Sequence, residues 1–266
     1  MGLTAIGARV LLGLLVGVLV GLTGIGGGML LLPLLISVLG VPPIVAVGSD
    51  AVINFVTKIG AGALHWRQGN VNWQLVFNLA CGSIPGAIVG VSVLAWARAA
   101  YGAGVNGLLR AAIGVLLITI SLAYLAKFRS AMSSASLPPS HPTGYRFGIV
   151  LIGFIAGTLV GLTSIGSGSV ILLLLLVFYG FAPATLVGTD IVHAVLLAAL
   201  TSVLQYNLGN VDFALVFPVL LGSVPGGILG AQLTRQVPAP RLKQVLCVLL
   251  IVVGTRMLWG AMAHAN

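Results

Sequence analysis

A chain of 266 residues that is 59% hydrophobic and only 6% charged cannot cover a water-soluble globule, whose surface needs roughly a quarter of its residues charged. Most of it must face lipid, and no stretch is left over for a separate soluble domain. Twelve Lys and Arg stand against three acids, all Asp, for a formal charge of +9; most of these cations sit at the ends of apolar segments, the pattern of headgroup anchoring and not of a nucleic-acid patch.

The first apolar run, residues 10–22, has the look of a signal-peptide core, yet no small-residue cleavage site follows it and the sequence continues apolar. It is therefore read as mature protein. A glycine-rich break at 23–28 separates it from a second apolar arm at 29–39. As helix each arm rises only about 17 to 20 Å, short of the roughly 30 Å of hydrocarbon, which puts the break at membrane depth. Two arrangements follow. Either the arms form one long crossing broken in the middle, giving eight crossings and parallel repeats, or they form a re-entrant hairpin, giving three crossings per unit and inverted repeats.

Segments 44–64, 71–97 and 105–126 are each long enough to cross. Residues 127–146 then hold Ser133, Ser134, Ser136, Pro138, Pro139, Ser140 and Pro142, a polar, proline-rich stretch through which no helix continues. Beyond it, segments 184–204, 211–233 and 242–262 are again of crossing length. Lys58 lies inside a segment; the other eleven cations divide six to five in the first arrangement and seven to four in the second, so the positive-inside rule leans toward the hairpin. Cys81 and Cys247 lie in apolar segments without CxxC or Cys/His grouping and read as small packing residues, not as disulfide or metal ligands.

At a constant offset of 140 residues, Gly21-Leu22-Thr23-Gly24-Ile25-Gly26-Gly27-Gly28 aligns with Gly161-Leu162-Thr163-Ser164-Ile165-Gly166-Ser167-Gly168. Without a gap the same offset pairs Gly48-Ser49-Asp50 with Gly188-Thr189-Asp190, Gly69-Asn70-Val71 with Gly209-Asn210-Val211, and Gly82-Ser83-Ile84-Pro85-Gly86 with Gly222-Ser223-Val224-Pro225-Gly226. Across residues 21–90, 28 of 70 positions are identical to their partners, more than shared hydrophobicity supplies. The expectation is an all-α polytopic membrane protein of two homologous four-segment repeats, about eight hydrophobic helices, with the first segment of each broken or re-entrant. The repeats span residues 1–129 and 146–266, joined by the linker 130–145.

Irregular backbone inside a bilayer is tolerated only where protein buries it or a polar cavity adjoins it. The candidates are Thr23, Gly24, Gly26, Gly27 and Gly28 in the first half and Thr163, Ser164, Gly166, Ser167 and Gly168 in the second. The arm after each break presents a helix N-terminus with unpaired N–H groups, and glycine lets an anion approach the backbone. Two such ends make a neutral, strongly donating anion cradle. The plainer alternative is that the glycines merely let helices pack closely; duplication in register favours the cradle.

Asp50 and Asp190 occupy equivalent places near the start of the second segment of each unit, and an intramembrane carboxylate is costly enough to be a functional candidate by default. The competing role is a helix cap, with Pro43 and Pro183 marking the helix entries, although each Asp lies about two turns past its proline. Asp50, Asn54 and Lys58 follow at i, i+4 and i+8 on one helix face. Lys58 is then a partner for an anion or a carboxylate, Asp190 included, or a lysine snorkelling to the interface. In the second half Ala194 and Ala198 replace Asn54 and Lys58, and His193, one turn after Asp190, is a candidate proton relay. Pro85 and Pro225 are expected to kink the third segments. Trp66, Trp73, Tyr206 and Phe213 read as interfacial aromatics at the Gly-Asn turns, where Asp212 carries no functional weight.

The doubled Gly-Leu-Thr-x-Ile-Gly-x-Gly, followed each time by Gly-Ser/Thr-Asp, Gly-Asn-Val and Gly-Ser-x-Pro-Gly, resembles the sulfite exporter TauE/SafE family, also called the toluene-sulfonate uptake permease family, over nearly the whole chain. The resemblance implies a proton-linked permease of the bacterial inner membrane for sulfite, sulfoacetate, sulfonates or related organic anions. Ser164 and Ser167 depart from the glycines of the first break. The expected protein is thus a secondary transporter in which the two breaks, Asn54 and Lys58 bind a small anion while Asp50, Asp190 and His193 couple its movement to protons. Its partners are that anion, protons and lipid, with no nucleic acid, metal or cofactor; whether it forms a homodimer is not written in the sequence. A passive anion channel using the same cradle is the alternative. An enzyme ranks below both, since no nucleophile–base pair, metal-spaced His/Cys set or haem-ligating histidine pair is present.

Overall fold

The computed structural model describes residues 3–23, 27–131, 145–166, 170–171, 174–175, 183–233 and 239–263. Its helices are α1 (Leu3–Thr23), α2 (Gly27–Ser37), α3 (Pro43–Arg67), α4 (Trp73–Tyr101), α5 (Val105–Ala131), α6 (Tyr145–Thr163), α7 (Pro183–Asn207), α8 (Phe213–Leu233) and α9 (Ala239–Ala263), with a short 3-10 turn, Gly102–Gly104, between α4 and α5. Among the described residues seven stretches are long and apolar enough to cross a membrane; one of them, Trp73–Ala126, runs through both α4 and α5. No strand occurs among the described residues.

Local chemistry sets the helix boundaries. Pro43 and Pro183 occupy the first positions of α3 and α7, where a missing N–H costs nothing. The Asn72 side chain accepts from Leu75 N–H at 3.0 Å and caps α4, and Asp212 Oδ1 accepts from Ala214 N–H at 2.9 Å at the start of α8. Between these helices Gly69 and Gly209 turn the chain at φ +72° and +68°, where glycine is favoured. At both turns aromatics meet edge to face, Trp66 on Trp73 and Tyr206 on Phe213, each at 5.9 Å between centroids. Helices α4 and α8 run through Pro85 and Pro225.

One expectation needs correction. The arm before the first break is a whole crossing, because α1 starts at Leu3 and has 21 residues, about 32 Å of helix; α6 has 19. Among the helices described above only α2, with 11 residues, is too short to cross. It is buried on all sides, Leu32 and Leu35 completely, so it is a helix of the protein interior and not of the lipid boundary. The outer surface is apolar instead, with Phe77, Leu221 and Trp259 68, 70 and 74% exposed.

The main packing contacts join the two halves: α1 with α8, α4 with α6, α3 with α7, and α5 with α9. Glycines at four-residue spacing make the first two pairs close. Gly13 meets Val219 and Ser223, Gly17 meets Ser223 and Gly227, and Gly230 meets Val18 and Leu22, so α1 and α8 run parallel. In the same sense Gly153 meets Leu79 and Ser83, and Gly161 meets Ala87 and Val91, laying α6 along α4. A Cβ on Gly17 or Gly86 would collide with the carbonyl of Ser223 or Phe154, the close backbone approach that small-x-x-x-small pairs permit.

The other two pairs are antiparallel. Gly62 faces Ile191, Val192 and Val195, while Gly48 meets Asn210 just past the end of α7. Gly114 meets Gly254 and Leu258, and Gly260 meets Arg110. Helices at matching places in the two halves therefore run in opposite directions, the sense of the inverted arrangement. One end of the bundle collects the starts of α1, α3, α5 and α8, tied by Arg9 Nη1 donating to the Ala214 carbonyl at 2.8 Å and Ile44 N–H donating to Asn106 Oδ1 at 3.2 Å. The opposite end carries the α3–α4 turn and the start of α7, where Asn72 N–H donates to Thr189 Oγ1 at 3.0 Å.

Candidate functional site

The repeated tripeptide Gly-Ser/Thr-Asp has three distinct tasks. Gly48 and Gly188 lie against the backbone of Asn210 and Asn70, the Gly-Asn turns of the opposite half. Ser49 and Thr189 then accept hydrogen bonds from Asp212 N–H and Asn72 N–H, each at 3.0 Å. Each motif thereby docks on the other half's turn and leaves the following Asp directed into the bundle. Asp50 is 0% and Asp190 4% exposed. Neither caps its own helix, since both stand about two turns inside α3 and α7.

Around Asp50 the polar groups converge. Asn54, one turn on, donates from Nδ2 to Asp50 Oδ2 at 2.8 Å and to the Asp50 carbonyl at 3.0 Å. The same Oδ2 accepts from Ser164 Oγ at 2.7 Å. Ser164 is the first residue beyond α6, and its N–H donates to the Val160 carbonyl at 2.7 Å, closing the helix. Its φ of +58° lies in the left-handed region where helix ends favour glycine, and the equivalent residue of the first half is Gly24. Serine bears the left-handed penalty, about 1–2 kcal/mol, and brings a hydroxyl to the carboxylate.

Helix α2 begins at the same spot. A methyl group added to Gly28 would lie 2.8 Å from both Asp50 Oδ2 and the Ser164 carbonyl oxygen and 3.1 Å from Asn54 Nδ2; one added to Gly27 would lie 2.8 Å from Asn54 Oδ1. Asp50 thus stands where the electropositive start of α2 meets the electronegative end of α6. Its Oδ1 has no hydrogen-bond partner among the described residues. The cluster is enclosed, with Asn54 3% and Ser164 4% exposed. A cavity of about 670 Å³ lined by Tyr101, Asn106, Arg110 and Met262 lies elsewhere, at the ends of α5 and α9.

Lys58, half-buried, lies within electrostatic reach of both Asp50 and Asp190. Asp190 shares with Asp50 an Oδ1 that has no hydrogen-bond partner among the described residues, but Ala194 stands where Asp50 has Asn54. His193 is tied to α4 through a 2.7 Å bond between Nε2 and Ser83 Oγ. Thr163 uses its hydroxyl locally, donating to the Leu159 carbonyl at 2.8 Å and accepting from Ile165 N–H at 3.3 Å. Gly166 follows at φ +124°. Thr23 closes α1, while Gly24, Gly26, Ser167 and Gly168 lie outside the described residues. Elements of the two breaks do come together, Gly27 and Gly28 from one and Ser164 from the other.

Several contributing residues carry no signal as single positions. Ser49, Thr189, Asn70 and Asn210 work as docking pairs across the halves, and Gln205 supports the end of α6 by donating from Nε2 to the Gly161 carbonyl at 3.3 Å while accepting from Asn210 Nδ2 at 2.7 Å. Their legible trace was the offset that repeats the Gly-Ser/Thr-Asp and Gly-Asn motifs together.

Known proteins frame this arrangement. The model of a family described as sulfite exporter TauE/SafE matches residues 9–257. A probable membrane transporter protein of Bacillus subtilis (strain 168), YjnA, is 37% identical over 254 residues, covering 94% of this chain and 98% of that one. A second from the same organism, YunE, is 24% identical over 94% of this chain and 96% of its own, and the Methanocaldococcus jannaschii protein MJ0441, also a probable membrane transporter, is 26% identical over 94% of each. No solved structure matches. With most of its length inside the family model and its helices suited to lipid, the chain is a multi-pass protein of the cell's inner membrane and belongs to the sulfite exporter TauE/SafE family of membrane transporters.

Proposed function

We propose that this protein is a proton-linked secondary transporter that moves a small anion, such as sulfite or a sulfonate, across the inner membrane. One observation carries the reading: Asp50, Asn54 and Ser164 form a buried polar cluster where the N-terminus of α2 from one half meets the end of α6 from the other. Amide and hydroxyl donors at such a junction suit a three-oxygen anion, since each donor takes one acceptor. Lys58 supplies compensating charge, and Asp50 and Asp190, with His193 beside the latter, carry the protons. The two halves, 1–129 and 146–266 around the linker 130–145, are read as inverted copies, which the reciprocal packing of α1 on α8 and α6 on α4 supports. Rocking of such halves about a central site is how inverted-repeat carriers alternate access, and an enclosed site corresponds to their occluded state.

Proteoliposomes test this. Sulfite, methanesulfonate, sulfoacetate and acetate are offered with an imposed pH gradient, and the parent is compared with Asp50→Asn, Asp190→Asn and Thr23→Val. Saturable flux that follows the gradient and falls in the variants is expected. Undiminished flux in all three removes the site; saturable flux indifferent to the gradient removes the coupling and leaves an anion channel.

A further inference from the structure

A helix N-terminus favours an anion, and the Asp50 carboxylate stands against the start of α2. Its Oδ2 takes the Ser164 hydroxyl and the Asn54 amide, and it lies beside Gly28 at the electropositive start of α2. Those are the groups a sulfonate oxygen would need. Its Oδ1 is fully buried and has no hydrogen-bond partner among the described residues, so a proton can be placed there without breaking either existing bond.

The surrounding charges point the same way. The charged group acting on Asp50 is Lys58 on its own helix; Lys58 in turn interacts with Asp190 and His193 of α7, Tyr124 of α5 lies within electrostatic reach of Asp190, and Asp212 meets the neighbouring Ser49 through its backbone N–H. Lys58 is the cation within reach of both carboxylates. With both carboxylates ionised, one ammonium leaves a net negative charge, and an arriving anion would add another beside Asp50 in a medium that screens little.

We infer that Asp50 is a built-in competitor of the transported anion, sharing the donors at the α2–α6 junction, so that each anion enters together with one proton that neutralises Asp50. This rests on the anion-transporter reading and specifies its coupling. The proton comes from water on the loading face and is held on Asp50 Oδ1. The anion takes over donation from Ser164 Oγ and the start of α2. On the far side the anion leaves, the proton returns to water and the carboxylate closes on Ser164 again. One positive and one negative charge move together, so the step is electroneutral for a monovalent anion.

The inference makes an unusual demand: a neutral residue at position 50 must strengthen anion binding. Methanesulfonate is the probe, because it remains a monoanion over the whole working pH range and any pH dependence belongs to the protein. In the purified parent, affinity should rise about tenfold per pH unit of acidification, the linkage for one co-bound proton, and one proton should be taken up per anion in weakly buffered solution. Asp50→Asn should bind at least as tightly as the parent at its most favourable pH, with no pH dependence and no proton uptake. Weaker binding with the parent's pH slope overturns the inference, as does a parent that binds without taking up a proton, while both leave an anion transporter standing. The proton count on the unmodified parent decides the matter if Asp50→Asn does not fold. Absence of methanesulfonate, sulfite and sulfoacetate binding in the parent would instead remove the transporter reading and this inference with it.

Discussion

At the junction of α2 and α6 the side chain of Ser164 does what a glycine could not, and its backbone bears the cost. Two substitutions separate these contributions. Ser164→Ala and Ser164→Gly both lose the hydroxyl on Asp50, a bond to a charged group of about 1.5–3 kcal/mol, but only alanine keeps the left-handed penalty of about 1–2 kcal/mol at φ +58°. Both variants should unfold at lower temperature than the parent in detergent, and the alanine variant lower by roughly that difference; equal melting temperatures would contradict this assignment. The helix-face spacing of Asp50 and Asn54 was readable before any coordinates existed, because i, i+4 neighbours must meet. The partnership of Asp50 with Ser164 was not, because 114 positions separate them and only the packing of the two halves brings them together.

Among the helices, four-residue glycine spacing decides which surfaces can touch. Gly17→Val places branched carbon where α1 meets the Ser223 carbonyl, whereas Gly7→Val adds it where nothing lies within 4 Å. The first should lower thermal stability or abolish folded yield, at a cost of at least the 1–3 kcal/mol typical of overpacking; the second should stay close to the parent. Comparable yields and melting temperatures for both would mean that the α1–α8 seam is not tightly packed. The crossing segments were legible as apolar runs, and α3 to α5 and α7 to α9 fall on them within a few residues. Helix α1 was read too short because Arg9 interrupts its apolar run. In the structure Arg9 donates to the Ala214 carbonyl and α1 runs through it from Leu3, so the charge sits within the helix instead of ending it.

Across the whole molecule, helix direction sorts the cations. Arg9, Arg98, Arg110 and Arg256 belong to the end that holds the starts of α1 and α3, whereas Arg67, Lys127, Arg129, Arg146, Arg241 and Lys243 belong to the opposite end, which holds the end of α5 and the start of α6. By the positive-inside rule, four against six gives as the expected orientation that this second end, with the end of α5 and the start of α6, lies in the cytoplasm. With Cys81 and Cys247 replaced by alanine, an impermeant maleimide added to intact cells should label Asn207→Cys and spare Gln68→Cys until the membrane is opened; the reverse pattern would contradict this orientation. Sequence alone left the choice between parallel and inverted halves nearly balanced, because it depends on whether α2 returns toward the face from which α1 came, and an 11-residue buried helix leaves little mark on hydropathy. The central claim is that the enclosed junction at Ser164 is the place the anion visits, reached from each face in turn. In the same cysteine-free background, the Ser164→Cys variant in sealed vesicles is treated with a small anionic methanethiosulfonate from either side, with and without saturating methanesulfonate. Slow modification from both sides, suppressed by methanesulfonate, is predicted; no modification from either side, or modification that methanesulfonate leaves unchanged, would contradict the account.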